Sequence, residues 1–497
     1  MPKLRVLCAP VGKNTMDSFK LYEDPLSSRY ASPEMAHLWS PHKRIGIWRR
    51  IWVALAEAQM ELGLVGEGGP RILPEQILAM KAKVDDIDFA LAEEYERKFR
   101  HDVMAHIHAF GDAVPSARDI IHLGATSCTV TDNAEVILMR EGLSLVAVKI
   151  ASVLKALSEF ATKHKNLTCL GFTHFQPAQL TTMGKRATLW AQDFLMDLGE
   201  IENRLATMRF RGIKGTTGTQ ASFMALFQGS HEKVIALDKL ISQKMGFDLV
   251  WPVTGQTYPR KMDSMILDAL SGICQSAHRF GSDLRLLSHR QELDEPFEES
   301  QVGSSAMPYK RNPMRSERMC GLARYGMNLP ANAAQTAAVQ WLERTLDDSV
   351  NRRLSIPQAF LTVDSILKLA LNIARGMKPN PEVIDREVKK IMPYMLTENL
   401  MMAAVARGGD RQELHEIIRV HSHAVTADLK SGASKNDLLE RLQKEKAFEG
   451  VSFAAIESGS YLSGRASEQV DDFIATEVTQ ALAPYQGKVQ THSVVER

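Results

Sequence analysis

Cysteine is scarce and scattered. Cys8, Cys128, Cys169, Cys274 and Cys320 lie far apart in 497 residues and form no CxxC pair, so the chain reads as carrying reduced thiols rather than a disulfide framework or a zinc site. Net charge is scarce too: 60 Lys and Arg against 59 Asp and Glu leave a formal +1, and no global field draws the protein to nucleic acid or to an anionic membrane. Aromatic residues make up 7% of the chain, with no basic stripe interleaved among them to stack bases. No apolar run approaches the ~20 residues of a membrane span, and the N-terminal apolar piece from Val6 to Val11 is interrupted by Pro10. HExxH is absent, and the glycine-rich GIKGTTGTQ beginning at Gly212 fits neither a dinucleotide fingerprint nor a P-loop, although its glycines permit close backbone approach to a ligand. These absences point to a cytoplasmic protein with no nucleic-acid or membrane partner.

What is present is helix. The composition is ordinary, 44% hydrophobic and 24% charged, and the length prior is about three domains. After a mixed segment up to Met16, read as a loosely ordered extension, the turn Ser27 to Pro33 presents Arg29 and Tyr30. A helix from about Pro41 to Leu62 places Ile45, Trp48, Ile51, Trp52 and Leu55 on its core face, with Arg49 and Arg50 on the wet side. Helices around Pro74 to Lys83 and Asp86 to Phe99 follow. His101, His106 and His108 invite a metal, but no carboxylate or cysteine completes a ligand spacing; Arg100, His101 and Asp102 at a helix start suit an anion better. Thr126 and Ser127 sit in the small-residue turn LGATS. From Leu180 to Met208 the apolar positions are spaced 3-4-3-4-4-3-4-3, one buried stripe on a helix of ~40 Å. A second long stripe runs from Met265 to Leu287, and the acidic run Glu292 to Glu299 reads as a solvated loop. Pro330 is a kink in the next helix. Arg344, Ser349, Arg352 and Arg353 make either a salt-bridged face or a phosphate clamp, and spacing alone favours the solvated face. A last long helix is expected from about Ile356 to Met377. The fold class is therefore all-α: an extension at 1–16, a helical domain at 17–126, a long-helix bundle at 127–379 and a C-terminal helical domain at 380–497. Long exposed stripes call for partner helices, and so for an oligomer.

The stretch that carries chemistry runs GSSAMPYKRNPMRSE from Gly303 to Glu317. Its glycine, serines and prolines make it a loop ending in a helix start, and it offers two hydroxyls, a lysine, an asparagine and a carboxylate, a set able to hold an anion while a proton is taken from it. The string resembles the signature loop of the fumarase/aspartase superfamily of elimination enzymes, in the version found in the adenylosuccinate lyase family. The likeness covers nearly all of the chain after residue 16, most closely the animal type.

That resemblance implies three helical domains in a homotetramer, with each active site built from three subunits, no cofactor and no metal. It implies removal of fumarate from small-molecule nucleotide substrates, adenylosuccinate and the succinylated aminoimidazole carboxamide ribotide, by β-elimination. Carried over by position, Ser304 is the base with Ser305 beside it, His174 in the matching THFQPAQ turn is the acid, Glu317 orients that histidine, and Lys310 and Asn312 hold the succinyl carboxylate. Arg29, Tyr30, Arg344, Ser349 and Arg353 correspond to 5′-phosphate contacts, which revises the spacing-only reading of the arginines. Arg100, His101, Asp102, Thr126, Ser127, Gln256 and Arg318 correspond to nucleotide and succinyl contacts. The alternatives are another lyase of the superfamily, such as one acting on argininosuccinate, or a catalytically silent crystallin-like member. The two arginine clusters oppose the first, and intact Ser304, His174, Lys310 and Glu317 oppose the second.

Overall fold

Residues 20–67, 69–457 and 462–490 are described by the computed structural model; the expected extension at 1–16 lies outside them. Five long helical segments form the bundle: Ser127–Lys163, Met183–Thr207, Lys261–His289, Met314–Asn328 continued by Pro330–Ala338, and Asp348–Gly376. The central positions of each stripe are buried, Met183, Ala187, Trp190, Phe194, Leu198 and Ile201 among them, but Leu180 lies on a strand before the helix begins at Met183, and Met265 is exposed. Pro330 opens a separate helix at its first turn, where a missing N–H is harmless.

The helices share one polarity pattern. Ser127–Lys163, Lys261–His289 and Asp348–Gly376 all start at one end of the bundle, where Arg260 bonds both Asp132 and Asp348. Met183–Thr207 and Met314–Asn328 run the other way. A 37-residue helix at ~1.5 Å per residue is ~55 Å long, and that length separates the two ends. A second, smaller core gathers Leu396, Leu400, Leu414, Val425, Leu438, Leu442 and Phe448, while Val470, Val478 and Tyr485 return to the main core.

Several expectations are corrected. Arg49 is not on a wet face: it is fully buried, donates to the carbonyls of Lys83 and Asp86 at 2.6 Å each, and lies over the Phe110 ring at 4.5 Å. Burial lowers its pKa to about 10; Arg50, beside it, is the exposed one and pairs with Asp85 at 2.7 Å. The last bundle helix begins at Asp348, not near Ile356, and carries Pro357 inside it. Asp348 is anchored by Arg260 and Arg352 by Asp263, at 2.7 Å each, and the helix continues through the proline despite the ~3 kcal/mol that an internal proline costs. This helix is long and apolar enough to cross a membrane by composition alone, but it is mostly buried among its neighbours. The stretch around His174 is an antiparallel hairpin, Thr168–Thr173 with Gln176–Thr182, turned by His174 and Phe175 at φ 51° and 58°. Two successive positive φ angles are what a tight hairpin turn needs, and helical periodicity does not reveal it.

Candidate active site

The polar turns collect into two groups, one at each end of the bundle. At the end where the three long helices start, Arg100 closes the preceding helix at φ 55°. His101 then caps the helix Asp102–Ala113, its Nδ1 accepting from the Met104 N–H at 3.3 Å. Its Nε2 lies 3.4 Å from Ser127 Oγ. Gln256 Nε2 donates to Thr126 Oγ1 at 3.4 Å, and Gln256 Oε1 accepts from Arg344 at 2.8 Å. The Arg344 guanidinium also meets Cys128 Sγ. Arg353 pairs with Asp102 at 2.9 Å, and Ser349 lies in the first turn of the same helix, its N–H on the Leu346 carbonyl at 3.1 Å. Residues 100–102, 126–128, 256 and 344–353, four separate stretches of sequence, thus meet at one polar surface.

Beneath this surface lies a network the sequence reading missed. Arg260 grips Asp132 with two nitrogens at 3.0 and 3.1 Å and Asp348 at 2.7 Å; Arg352 holds Asp263 at 2.7 Å and meets Tyr258 Oη, which donates to Asp263 at 2.6 Å. Arg211 adds a third buried cation, spread over the carbonyls of Gln256, Gly212 and Gly215. Three arginines and three aspartates balance, which lets them stay charged away from water. Burial pushes Tyr258 well above its ordinary range, so it remains a neutral donor. The spacing-only reading of Arg344 to Arg353 as a solvated face therefore fails at Arg352, which is buried. His122, at φ 68° just before the LGATS turn, was also missed; Trp52 Nε1 donates to its Nδ1 at 2.8 Å, and burial lowers its pKa to about 4. The glycine-rich turn packs on its own chain: a Cβ at Gly218 would lie 1.8 Å from the Thr254 carbonyl oxygen.

The signature loop occupies the opposite end. The acidic run before it is not a solvated loop. Glu292 and Glu295 are buried, and Glu295 accepts from the N–H groups of Arg315 and Ser316 and from Ser316 Oγ, all at 2.9 Å. One carboxylate thus caps the helix that the loop enters and ties the loop's two ends together. Burial raises the Glu295 pKa, and those three bonds oppose the rise. Arg315 completes the clasp through Pro296 O and Asn372 Oδ1 at 2.9 Å and Glu298 at 2.7 Å. Within the loop, Asn312 Nδ2 donates to Gly303 O at 2.8 Å, and Ser304 Oγ accepts from the Met307 N–H at 3.1 Å. Ser305, Lys310 and Glu317 face solvent. Arg318, on the helix after the loop, lies 5.7 Å from the Tyr30 ring centroid, and Arg29 flanks the same ring at 6.0 Å.

His174 stands exposed at the hairpin tip, and within one chain it shares no bond with Glu317 or Ser304 among the described residues. The hairpin is anchored through Gln179, which donates to Glu398 at 2.6 Å, and through Phe172, under Arg290 at 4.6 Å. The three histidines of the 101–108 segment diverge: His101 is exposed, His106 lies edge-on to Trp48 and Phe89, and His108 packs on Tyr95 and Phe99. No group of three or more potential metal ligands converges among the described residues.

Comparisons with known proteins agree with this architecture. Residues 71–325 match the family described as Lyase, and residues 393–473 match the one described as Adenylosuccinate lyase C-terminus. An adenylosuccinate lyase of Schizosaccharomyces pombe is 48% identical over 96% of this chain and 99% of that protein. One from Saccharomyces cerevisiae is 49% identical over 95% and 98%, and one from Schistosoma mansoni 47% identical over 95% and 98%. In fold, the chain superposes on a 3-carboxy-cis,cis-muconate lactonizing enzyme from Pseudomonas putida with a TM-score of 0.79 at 20% identity, covering 92% of this chain and 99% of that one. With identity near one half along almost its whole length, the chain belongs to the adenylosuccinate lyase family of the fumarase/aspartase superfamily.

Proposed function

We propose that the chain eliminates fumarate from adenylosuccinate, leaving AMP, and from the corresponding succinylated imidazole ribotide, as a step of purine nucleotide biosynthesis in the cytoplasm. The near-full-length identity to adenylosuccinate lyases carries the reaction class. The site chemistry follows from the residues. Ser304, as alkoxide, takes a proton from the carbon beside a succinyl carboxylate; the electron pair left on that carbon is delocalised into the carboxylate, held by Lys310 and Asn312. As the C–N bond breaks and the C=C bond forms, His174 protonates the departing nitrogen, and Glu317, from another subunit, orients that imidazole. A serine hydroxyl is a weak base, so its alkoxide needs donors; the Met307 N–H on Ser304 Oγ is one, and Lys310 in the same loop supplies a cation. The phosphate and two carboxylates of the substrate meet Arg29, Arg344 and Arg353, with Tyr30, Ser349, Arg100, His101, Asp102, Thr126, Ser127, Gln256, Ser305 and Arg318 completing the contacts.

One observation supports a site shared between subunits of a homotetramer. The helix Ser127–Lys163, ~55 Å long, leads from Thr126 and Ser127 to the other end of the bundle, where the hairpin of His174 follows it, so a single chain leaves its two polar groups too far apart to grip one nucleotide. Exposed apolar residues beside the first group, Trp341, Leu342, Leu346 and Val350, supply a surface for a partner copy to cover.

The test is an ultraviolet absorbance assay with adenylosuccinate, without added metal, with fumarate identified by chromatography. Fumarate and AMP should appear together, and Ser304→Ala should lower kcat by at least about two orders of magnitude with the tetramer intact. No product from adenylosuccinate or the imidazole ribotide would overturn the reading, and near-normal turnover in folded Ser304→Ala would remove that serine from the mechanism.

A further inference from the structure

Two buried charges outside the signature loop have no part in the chemistry above. Asp364, fully buried on the helix Asp348–Gly376, pairs with Lys149, buried on the helix Ser127–Lys163. Taking two such charges out of water is expensive, and apolar residues of similar volume would pack the two helices at least as well. The pair has a third member. Asp364 Oδ2 accepts the backbone N–H of Ser32 at 2.5 Å, Asp364 Oδ1 accepts from Ser32 Oγ at 3.0 Å, and Lys149 Nζ donates to the same hydroxyl at 2.9 Å. Ser32 Oγ in turn caps the helix Pro33–Leu38 through the Met35 N–H at 3.3 Å. One helical turn beyond Asp364, Lys368 Nζ donates to Tyr30 O at 3.1 Å. The backbone from Tyr30 to Ser32 is therefore clamped by two bundle helices, immediately after a π-helical turn, Leu26–Tyr30, whose exposed end is Arg29. The Arg318 guanidinium lies 5.7 Å from the Tyr30 ring centroid, so the clamp also sets where the turn stands relative to the helix that ends the signature loop.

We propose that the buried Lys149–Asp364 pair, acting through Ser32, is a positioning device that fixes the Arg29–Tyr30 turn and thereby sets the affinity for the 5′-phosphate of the substrate. The proposal rests on the phosphate reading of Arg29 and Tyr30 given above. Neither charged residue touches substrate. Asp364 holds the Ser32 backbone directly, and Lys149 holds Asp364 and the Ser32 hydroxyl in place, next to the separate grip of Lys368 on the Tyr30 carbonyl.

The experiment uses the full-length enzyme in three forms besides wild type: the volume-conserving double variant Lys149→Met/Asp364→Leu, the milder Ser32→Ala, which leaves the ion pair intact, and Arg29→Ala as reference. Each is assayed with adenylosuccinate and with the same succinyl nucleoside lacking its 5′-phosphate. The double variant should raise KM for adenylosuccinate about tenfold or more with kcat within about threefold of wild type. Ser32→Ala should shift KM the same way by a smaller factor, and kcat/KM for the dephosphorylated substrate should stay unchanged in both. If Arg29→Ala raises KM but folded Ser32→Ala and the double variant do not, the positioning proposal is overturned and the phosphate reading stands. An unchanged KM in Arg29→Ala overturns the phosphate reading itself. An equal loss with both substrates means general damage to the site and also overturns the proposal. Should the double variant fail to fold, the Ser32→Ala result decides.

Discussion

His106 illustrates how one side chain ties acidity to stability. It is buried edge-on to Trp48 and Phe89, with its Nδ1 unpartnered, and burial lowers its pKa from 6.5 to about 4. The folded state therefore holds the neutral ring, while the unfolded chain binds a proton from pH 6.5 downward. Its contribution to stability is complete above pH 6.5 and is lost as pH falls from 6.5 toward 4. His106→Leu removes this acid-labile element. In thermal melts the variant should gain on wild type by several degrees across that window, and a difference that stays constant with pH would refute the assignment. His106 was legible in the sequence only as one of three neighbouring histidines, because the rings that bury it come from other helices.

At the scale of elements, the signature loop is held as much by the acidic run before it as by its own residues. Glu295 satisfies the first N–H groups of the helix Met314–Asn328 and Ser316 Oγ, all in a buried setting. Glu295→Ala should leave those donors unpaired, costing about 2–4 kcal/mol locally. The expected readouts are faster proteolytic cleavage within residues 297–313 and a kcat lowered about tenfold or more by misplacement of Ser304 and Lys310. Unchanged loop cleavage together with normal kcat would show that the loop does not depend on the clasp. In sequence the run read as solvated because four glutamates in eight residues usually are. What reversed it is long-range: Arg315 and Ser316 come back onto Glu295 only after the loop has closed. By contrast, the long helices and their stripes were legible, since a 3.6-residue period is a local property. The hairpin carrying His174 was not, since its short paired strands interrupt two helical patterns without an alternation of their own.

For the whole molecule, the ~36 Å of helix between Asp348 and Asn372, which Arg315 beside the signature loop bonds, makes a specific demand on assembly. Ser304→Ala and His101→Ala, each impaired alone, should recover activity when mixed under conditions that exchange subunits, because a hybrid site can draw an intact far-end group from one chain and an intact near-end group from another. The check is turnover after exchange verified by mass. Absence of recovery in verified hybrids would count against a shared site. Cation placement bears on the same point: a chain of net charge +1 meets a polyanionic substrate by gathering arginines locally, not by an overall field.

By itself the sequence determined the all-helical class, the long stripes, the signature loop and the family, all of which are written in local spacing or in contiguous motif. Tertiary structure alone decided which arginines are wet and which are buried. It turned Arg49, Arg211, Arg260 and Arg352 inward onto carbonyls and aspartates, and left Arg353 at the surface beside Asp102. Burial of a charge is set by partners tens to hundreds of residues away, Asp86 for Arg49 and Ser32 for Asp364 among them, and no local pattern encodes partners at such distances.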